Sequence, residues 1–164
     1  MGFSIEQEKG CVRCPIPYIT YMINCKIKCL STTAKVPTYG DPQAIGADLY
    51  SDQEISIGAG QRALVGTGIA IEASDNYKYP GYFRVAPRSG LGVRGIDIGA
   101  GVVDISYRGE IKVVVINHRE EPFVVYRGDR IAQLIFEHAS QIHFVEALEL
   151  SMTKRGEAGF GSTG

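Results

Sequence analysis

The chain has 164 residues, 45% of them hydrophobic, and a formal net charge of −1. That length favours one domain with a packed core, and near-neutrality argues against bulk nucleic-acid binding through phosphates. No apolar run approaches the roughly 18–20 residues of a membrane span, so neither nucleic acid nor a membrane is expected as a partner.

Residues 1–22 form an N-terminal extension with no assignable role. Its opening, MGFSIEQEKG, mixes acid, base and glutamine, unlike a secretory signal. A soluble intracellular protein, of cytoplasm or nucleus, is the expectation. Cys11, Cys14, Cys25 and Cys29 give a C-x-x-C followed by a C-x-x-x-C, a spacing that invites zinc. Ile23, Cys25, Ile27 and Cys29, however, alternate with Asn24, Lys26 and Lys28, which is strand periodicity. A strand separates Cys25 from Cys29 by about 13 Å along one face, too far for two ligands of one zinc. These two are read as small core residues, and Cys11 and Cys14 stay open.

From residue 23 to 150 the chain reads as short strand after short strand. Ile23 to Leu30 alternates, and Ala44 to Tyr50 and Glu54 to Ile57 are short extended pieces. Gly58-Ala59-Gly60 turns into a β-branched run, Ala63 to Ile71. Tyr77 to Gly81 holds a Pro-Gly pair and reads as a loop before a strand over Tyr82 to Ala86. Ser89 to Val93 is expected to make one helical turn. Glu110 to Ile116 is the most strand-like run, followed by Phe123 to Tyr126 and Arg130 to Phe136, split by Arg127-Gly128-Asp129. Ile142 to Val145 is read as a last strand. Many short strands, 20 glycines and little helical spacing predict an all-β sandwich or barrel. His118, His138 and His143 stand alone in the sequence and read as surface or edge residues.

Residues 151–164 form a flexible Gly-rich C-terminal arm. Its Gly159-Phe160-Gly161-Ser162-Thr163-Gly164 matches G-x-G-x-x-G, but no helix or distal acid follows, so the dinucleotide-binding reading fails. The alternatives are a frayed tail or an arm that closes on an anion through backbone N–H groups, with Phe160 stacking on something flat.

Four further stretches concentrate polar residues among glycines: Gly46 to Ser51, Pro87 to Gly92, Gly101 to Gly109, and Gly128 to Leu134. Each has a plain reading by itself: Asp48 as a turn cap, Arg88 as the partner of an acid, Asp129-Arg130 as a turn with a surface ion pair. Together with the arm they supply acids, arginines, hydroxyls and exposed backbone, a kit suited to a polyphosphate with a metal.

All five, in this order and spacing, resemble the five motifs of the trimeric deoxyuridine triphosphatase (dUTPase) family, and the resemblance covers about Lys26 to Gly164. It implies a jelly-roll-like β subunit and a homotrimer whose C-terminal arms are exchanged between subunits at shared active sites. It implies Mg²⁺-dependent hydrolysis of dUTP to dUMP and pyrophosphate by water attack on the α-phosphate, which keeps uracil out of DNA and supplies dUMP for thymidylate synthesis. The third motif is implied to be a β-hairpin holding uracil. Gly101 would let the base approach, Val102 and Val103 would offer main-chain groups, Asp104 would activate water, and Tyr107 would lie under the deoxyribose. Arg88, Ser89, Gly90 and Gln133 match phosphate-contacting positions, and Asp48 matches an acid that reaches Mg²⁺ through water. In the arm, Arg155 would reach the phosphates, Phe160 would stack on uracil, and Gly161, Ser162 and Thr163 would wrap the γ-phosphate.

Fixed main-chain donors and acceptors would be left unpaired by cytosine, and such sites reject mismatched analogues by about 10⁴-fold or more. The sequence departs from the family at Ile105 and Ser106, where acids are common, and at Ala47, where an aromatic is common. Two other readings stay open on the sequence: a dCTP deaminase on the same fold, and a β-sandwich trimer that binds a nucleotide or a protein without turnover.

Overall fold

The computed structural model describes residues 23–73 and 81–159. Among them are eleven strands and one short helix: β1 (Cys25–Cys29), β2 (Ala47–Tyr50), β3 (Ile55–Ile57), β4 (Arg62–Gly66), β5 (Ile69–Ala73), β6 (Gly81–Ala86), α1 (Ser89–Gly92), β7 (Ile96–Gly99), β8 (Val102–Asp104), β9 (Lys112–Asn117), β10 (Phe123–Val125) and β11 (Arg130–His138). All pairings are antiparallel, in sheets ordered β1-β5, β10-β3, β2-β11-β6-β8 and β4-β9-β7. Neighbouring sequence strands often lie in different sheets, as a jelly-roll requires. No helix among the described residues is long and apolar enough to cross a membrane.

The core explains the strand pattern. In β9, Val113, Val115 and Asn117 point inward and are fully buried, while Lys112, Val114 and Ile116 face outward. Leu49, Val65, Ile69, Ile96 and Ile131 meet them from other strands, all 0–1% exposed. Phe83 and Phe136 close one end edge to face, with centroids 5.3 Å apart.

The helical turn forms where expected, and His118, His138 and His143 are exposed. Three expectations need correction, and two strands were not anticipated. The run from Ala63 to Ile71 is two strands, because Thr67 and Gly68 turn the chain at a Gly68 φ of +67°. A side chain at Gly68 would also meet Asp52 Oδ2 at 2.5 Å, and Asp52 is held by Ser31 Oγ and Thr33 Oγ1, each at 2.6 Å. Those two hydroxyls hold the Asp52 carboxyl below its ordinary range. Cys25 and Cys29 do lie on a strand, but both are exposed, because β1 stands in a two-stranded sheet and pairs among the described strands only with β5. Ile142 to Val145 is irregular and exposed: no described strand lies beside it to complete a ladder. Finally, β7 and β8 arise where glycines mask any alternation in IDIGAGVVD. The loop read at Tyr77 to Gly81, like Cys11, Cys14 and residues 1–22, falls largely outside the described residues.

One buried polar side chain ties the loops together. The Asn117 amide donates to Ile57 O (3.0 Å), Gly58 O (3.1 Å) and Glu121 O (2.8 Å) and accepts from Arg119 N–H (3.0 Å). Asn117→Asp keeps the shape but sets a carboxylate against three carbonyls. A destabilisation of about 3 kcal/mol or more is expected in urea unfolding at neutral pH, easing as the carboxyl protonates.

Candidate functional site

Directly opposed residues in an antiparallel ladder project to the same face. In the β2-β11-β6-β8 sheet, Asp48 opposes Gln133, which opposes Ala86; Ile135, Arg84 and Val102 form a second row; Glu137, Tyr82 and Asp104 form a third. Phe83, Val85, Leu134 and Phe136 point to the core from the other side. One outer face therefore carries residues from the first, third and fourth polar stretches, with the second following directly from β6.

At one end of that face Asp48 is the hub. Arg88 Nε donates to Asp48 Oδ1 at 2.8 Å, and Arg130 Nη1 donates to Asp48 Oδ2 at 3.2 Å. Arg88 also donates to Arg130 O at 3.3 Å, and Gln133 Nε2 donates to Pro87 O at 2.9 Å. Gly46 is needed here, since a Cβ at that position would lie 2.8 Å from Gln133 Cδ. Arg130 reaches this face through an irregularity in the β2–β11 register between Arg130 and Ala132. Strict alternation would put Arg130 and Gln133 on opposite faces; the bulge brings them together. Arg130 thus pairs with Asp48, not with Asp129, whose carboxylate accepts the Tyr126 N–H at 2.9 Å to close the turn. Ser89 and Gly90 lie exposed in α1, one step beyond Arg88.

The stretch from Gly101 to Gly109 starts beside Val85, next to that cluster, and runs along β6 away from it to Asp104 opposite Tyr82. Ala100 has a φ of +48°, the left-handed region in which a non-glycine residue is strained by about 1–2 kcal/mol. Gly101 follows, and a Cβ there would lie 2.6 Å from Val85 O. The missing side chain at 101 is therefore required first by β6, whose Val85 N–H donates to Gly101 O at 2.8 Å. β8 is the edge of its sheet, so along its outer side Val102, Val103 and Asp104 have no ladder partner among the described residues. Val102 is 69% exposed, Val103 packs on the core, and Asp104 is exposed. The expected hairpin is altered: β8 pairs with β6, while β7 and the returning β9 pair with each other. The turn itself is closed by Tyr107 N–H to Asp104 O at 3.0 Å.

A third group lies beside Asp104 and was not read from the sequence. The Tyr82 hydroxyl donates to Glu137 Oε2, and Arg84 Nε donates to Glu137 Oε1 at 2.6 Å. Those bonds, Tyr82 first and then Arg84, hold the Glu137 carboxyl below its ordinary range, and the carboxylate raises the Tyr82 phenol. The pattern E-H at the end of a strand gives no hint of partners more than fifty residues away.

The two ends do not meet. Asp104 lies opposite Tyr82, and the Asp48 cluster lies beyond Ala86, a separation of about 13 Å along β6. Arg155 bonds within the arm: its Nε donates to Ala158 O at 2.7 Å, around a turn at Gly156 with φ of +52°. Phe160, Gly161, Ser162 and Thr163 lie outside the described residues.

A dUTPase family model matches residues 32–164. The chain is 45% identical over 142 residues to a deoxyuridine 5'-triphosphate nucleotidohydrolase of Helicobacter hepaticus, covering 85% of this chain and 87% of that protein. With the proteins of that name from Candida albicans and Saccharomyces cerevisiae the identities are 49% and 47%, over 85% of this chain and 87% and 93% of theirs. In fold it is similar to the dUTPase of Staphylococcus bacteriophage 80alpha solved with dUPNHPP (TM-score 0.73, 22% identity, covering 86% of this chain and 98% of that one). It is also similar to a dUTPase of phage phi11 of S. aureus, solved with a structural Mg(II) ion (TM-score 0.70, 16% identity, covering 79% and 99%).

Asp48 neutralises two guanidinium groups, and its side chain is only 12% exposed. Asp48→Ala is expected to lower stability by about 1–3 kcal/mol, discounted for the half-exposed Arg130, in denaturant unfolding of the purified protein.

Proposed function

The chain belongs to the dUTPase family, and we propose that it hydrolyses dUTP to dUMP and pyrophosphate at sites assembled from more than one copy of the chain. One observation carries the assembly: Asp104 and the Asp48–Arg88–Gln133 cluster stand about 13 Å apart along one sheet face rather than side by side. A neighbouring copy that lays its phosphate cluster against this β8 completes a site, and a homotrimer closes that arrangement with three equal sites. The C-terminal segment supports the same reading. Ile142, Phe144, Val145, Leu148, Leu150 and Met152 are 71–103% exposed, an apolar run that a sister subunit would cover.

In this reading the free edge of β8 recognises the base. Main-chain groups of Val102 and Val103 pair with the uracil edge, Gly101 keeps the chain close, and the Tyr107 ring stands against the deoxyribose. Asp104, exposed at the end of β8, accepts a proton from a water aligned with the α-phosphate. The water oxygen bonds to phosphorus, the bond from that phosphorus to the bridging oxygen breaks, and pyrophosphate leaves. Arg88, Ser89, Gly90 and Gln133 of a neighbouring copy bind the phosphates, joined by Arg155, Gly161, Ser162 and Thr163 of the arm, with Phe160 over uracil.

Mg²⁺ fits the residues present in an outer-sphere role. Each Asp48 oxygen already accepts one guanidinium bond, which leaves room for water, and Mg²⁺ prefers waters and phosphate oxygens. When bound, the ion would supply charge neutralisation on the phosphates, with Asp48 holding one of its waters. A free nucleotide substrate supports the reading of activity in the cytoplasm or nucleus.

A purified-protein assay offering dUTP, dCTP, UTP and dTTP, with pyrophosphate and ammonia both measured, tests the reading. Pyrophosphate from dUTP alone is expected; ammonia from dCTP would indicate a deaminase, and no product would indicate a binding protein. Asp104→Asn is expected to cut kcat by about 10²–10⁴ while a non-hydrolysable dUTP analogue still binds, and near-normal turnover would remove Asp104 as the base. Deleting residues 155–164 is expected to leave a folded trimer with little activity, checked by light scattering and turnover; full activity would end the closing role of the arm.

A further inference from the structure

The ring of Tyr107 does not stand free in the structure. Its hydroxyl donates to Glu110 O at 3.2 Å, and its outer half lies over Gly109. A Cβ at Gly109 would come within 2.5 Å of Tyr107 Cζ and 3.0 Å of Cε2, and closer still to the hydroxyl oxygen. Real Cβ atoms do not make such contacts, so any side chain at 109 displaces the ring. The backbone at Gly109 is outside the left-handed region, so it accepts an alanine without strain of its own. The demand for glycine here comes from the ring.

The rest of the turn is fixed independently. Arg108 Nη1 donates to Ile105 O at 2.7 Å and to Tyr107 O at 3.1 Å, and its Nε lies 3.9 Å from Glu72 Oε2. Lys26 holds Glu72 from the other side at 3.1 Å. Arg108 thus braces the main chain at Ile105 and Tyr107 beside the β1-β5 ribbon, while the ring is held at its hydroxyl by Glu110 O.

The geometry points to Gly109 as a positioning residue: it forms, with the Glu110 carbonyl, a seat that sets how far the Tyr107 ring stands out toward the sugar. With no side chain at 109 the ring rests close over the main chain there, and a side chain at 109 displaces it. The inference rests on Tyr107 being the wall of the sugar site, and it adds that the wall's height is fixed by what is missing two residues later. Filling the seat moves the hydroxyl end by about 1 Å, a misplacement of the size that costs up to about 10²-fold in productive binding. Asp104 lies three residues before the ring in an anchored turn, so the loss falls on KM rather than on kcat.

A double-mutant cycle tests this in the full-length enzyme. Gly109→Ala is expected to raise KM for dUTP by roughly tenfold or more while kcat stays within about threefold, with assembly and melting checked on the same sample. In a Tyr107→Ala background the same change is expected to have no further effect on KM, because the ring through which it acts is gone. An unchanged KM in Gly109→Ala, or an equal rise with and without the Tyr107 ring, overturns the seat. Tyr107→Phe is the second variant and keeps the fold: it removes the tether to Glu110 O, and a KM rise of a few-fold with kcat held is expected. No change there refutes the tether. Tyr107→Ala alone reports on the underlying reading: if its preference for dUTP over UTP equals that of the parent, the ring is not the sugar wall, and that failure is separate from failure of the seat.

Discussion

The site depends on cross-strand register in one sheet. Because opposed residues share a face, the pairings of β11 with β2 and β6, and of β6 with β8, put Asp48, Gln133, Arg84, Tyr82, Glu137 and Asp104 on a single surface. A slip of one residue in any pairing would send its members into the core and bring Phe83, Val85 or Phe136 to the surface. The apolar inner face of the same strands prevents this, since Phe83 and Val85 are buried and Phe136 packs against them. Core packing and site placement are therefore one constraint. The β11 bulge is a useful exception: it breaks alternation at the point where Arg130 and Gln133 must act on the same side.

Much of this was legible in the sequence, in an uneven way. Alternation located β1, and β-branched or aromatic runs located β6, β9 and β10, to within a residue or two, and the short helical turn after Arg88 was expected. Alternation reports a strand but not its neighbours. It could not say that β1 would lie at an edge with Cys25 and Cys29 exposed, or that Ile142 to Val145 would find no strand in its own chain among the described residues. Nor does it register a break such as Thr67-Gly68, where the composition stays apolar on both sides while the chain changes sheet.

The candidate site was legible through its motifs, and its internal bonding was not. Asp48 and Arg88 were each singled out, but their mutual bond is a contact across forty residues, and Arg130 completes it only through the bulge. Tyr82, Arg84 and Glu137 carried no motif at all. They became visible only when the ladder set them beside Asp104, as a charge-balanced group that holds its own polar atoms and leaves the Asp104 end of the row open.

Gly101 shows how such a fold constrains its own future. The space a side chain would need there is already taken by the Val85 carbonyl, on the strand that supports β8. A chain evolving toward a different pyrimidine cannot begin by decorating that position, however favourable the new contact would be to the incoming base. It must first pry apart neighbouring strands that the rest of the sheet keeps together. Base preference is in this sense inherited from the packing beneath it, and it is slow to change because the packing is.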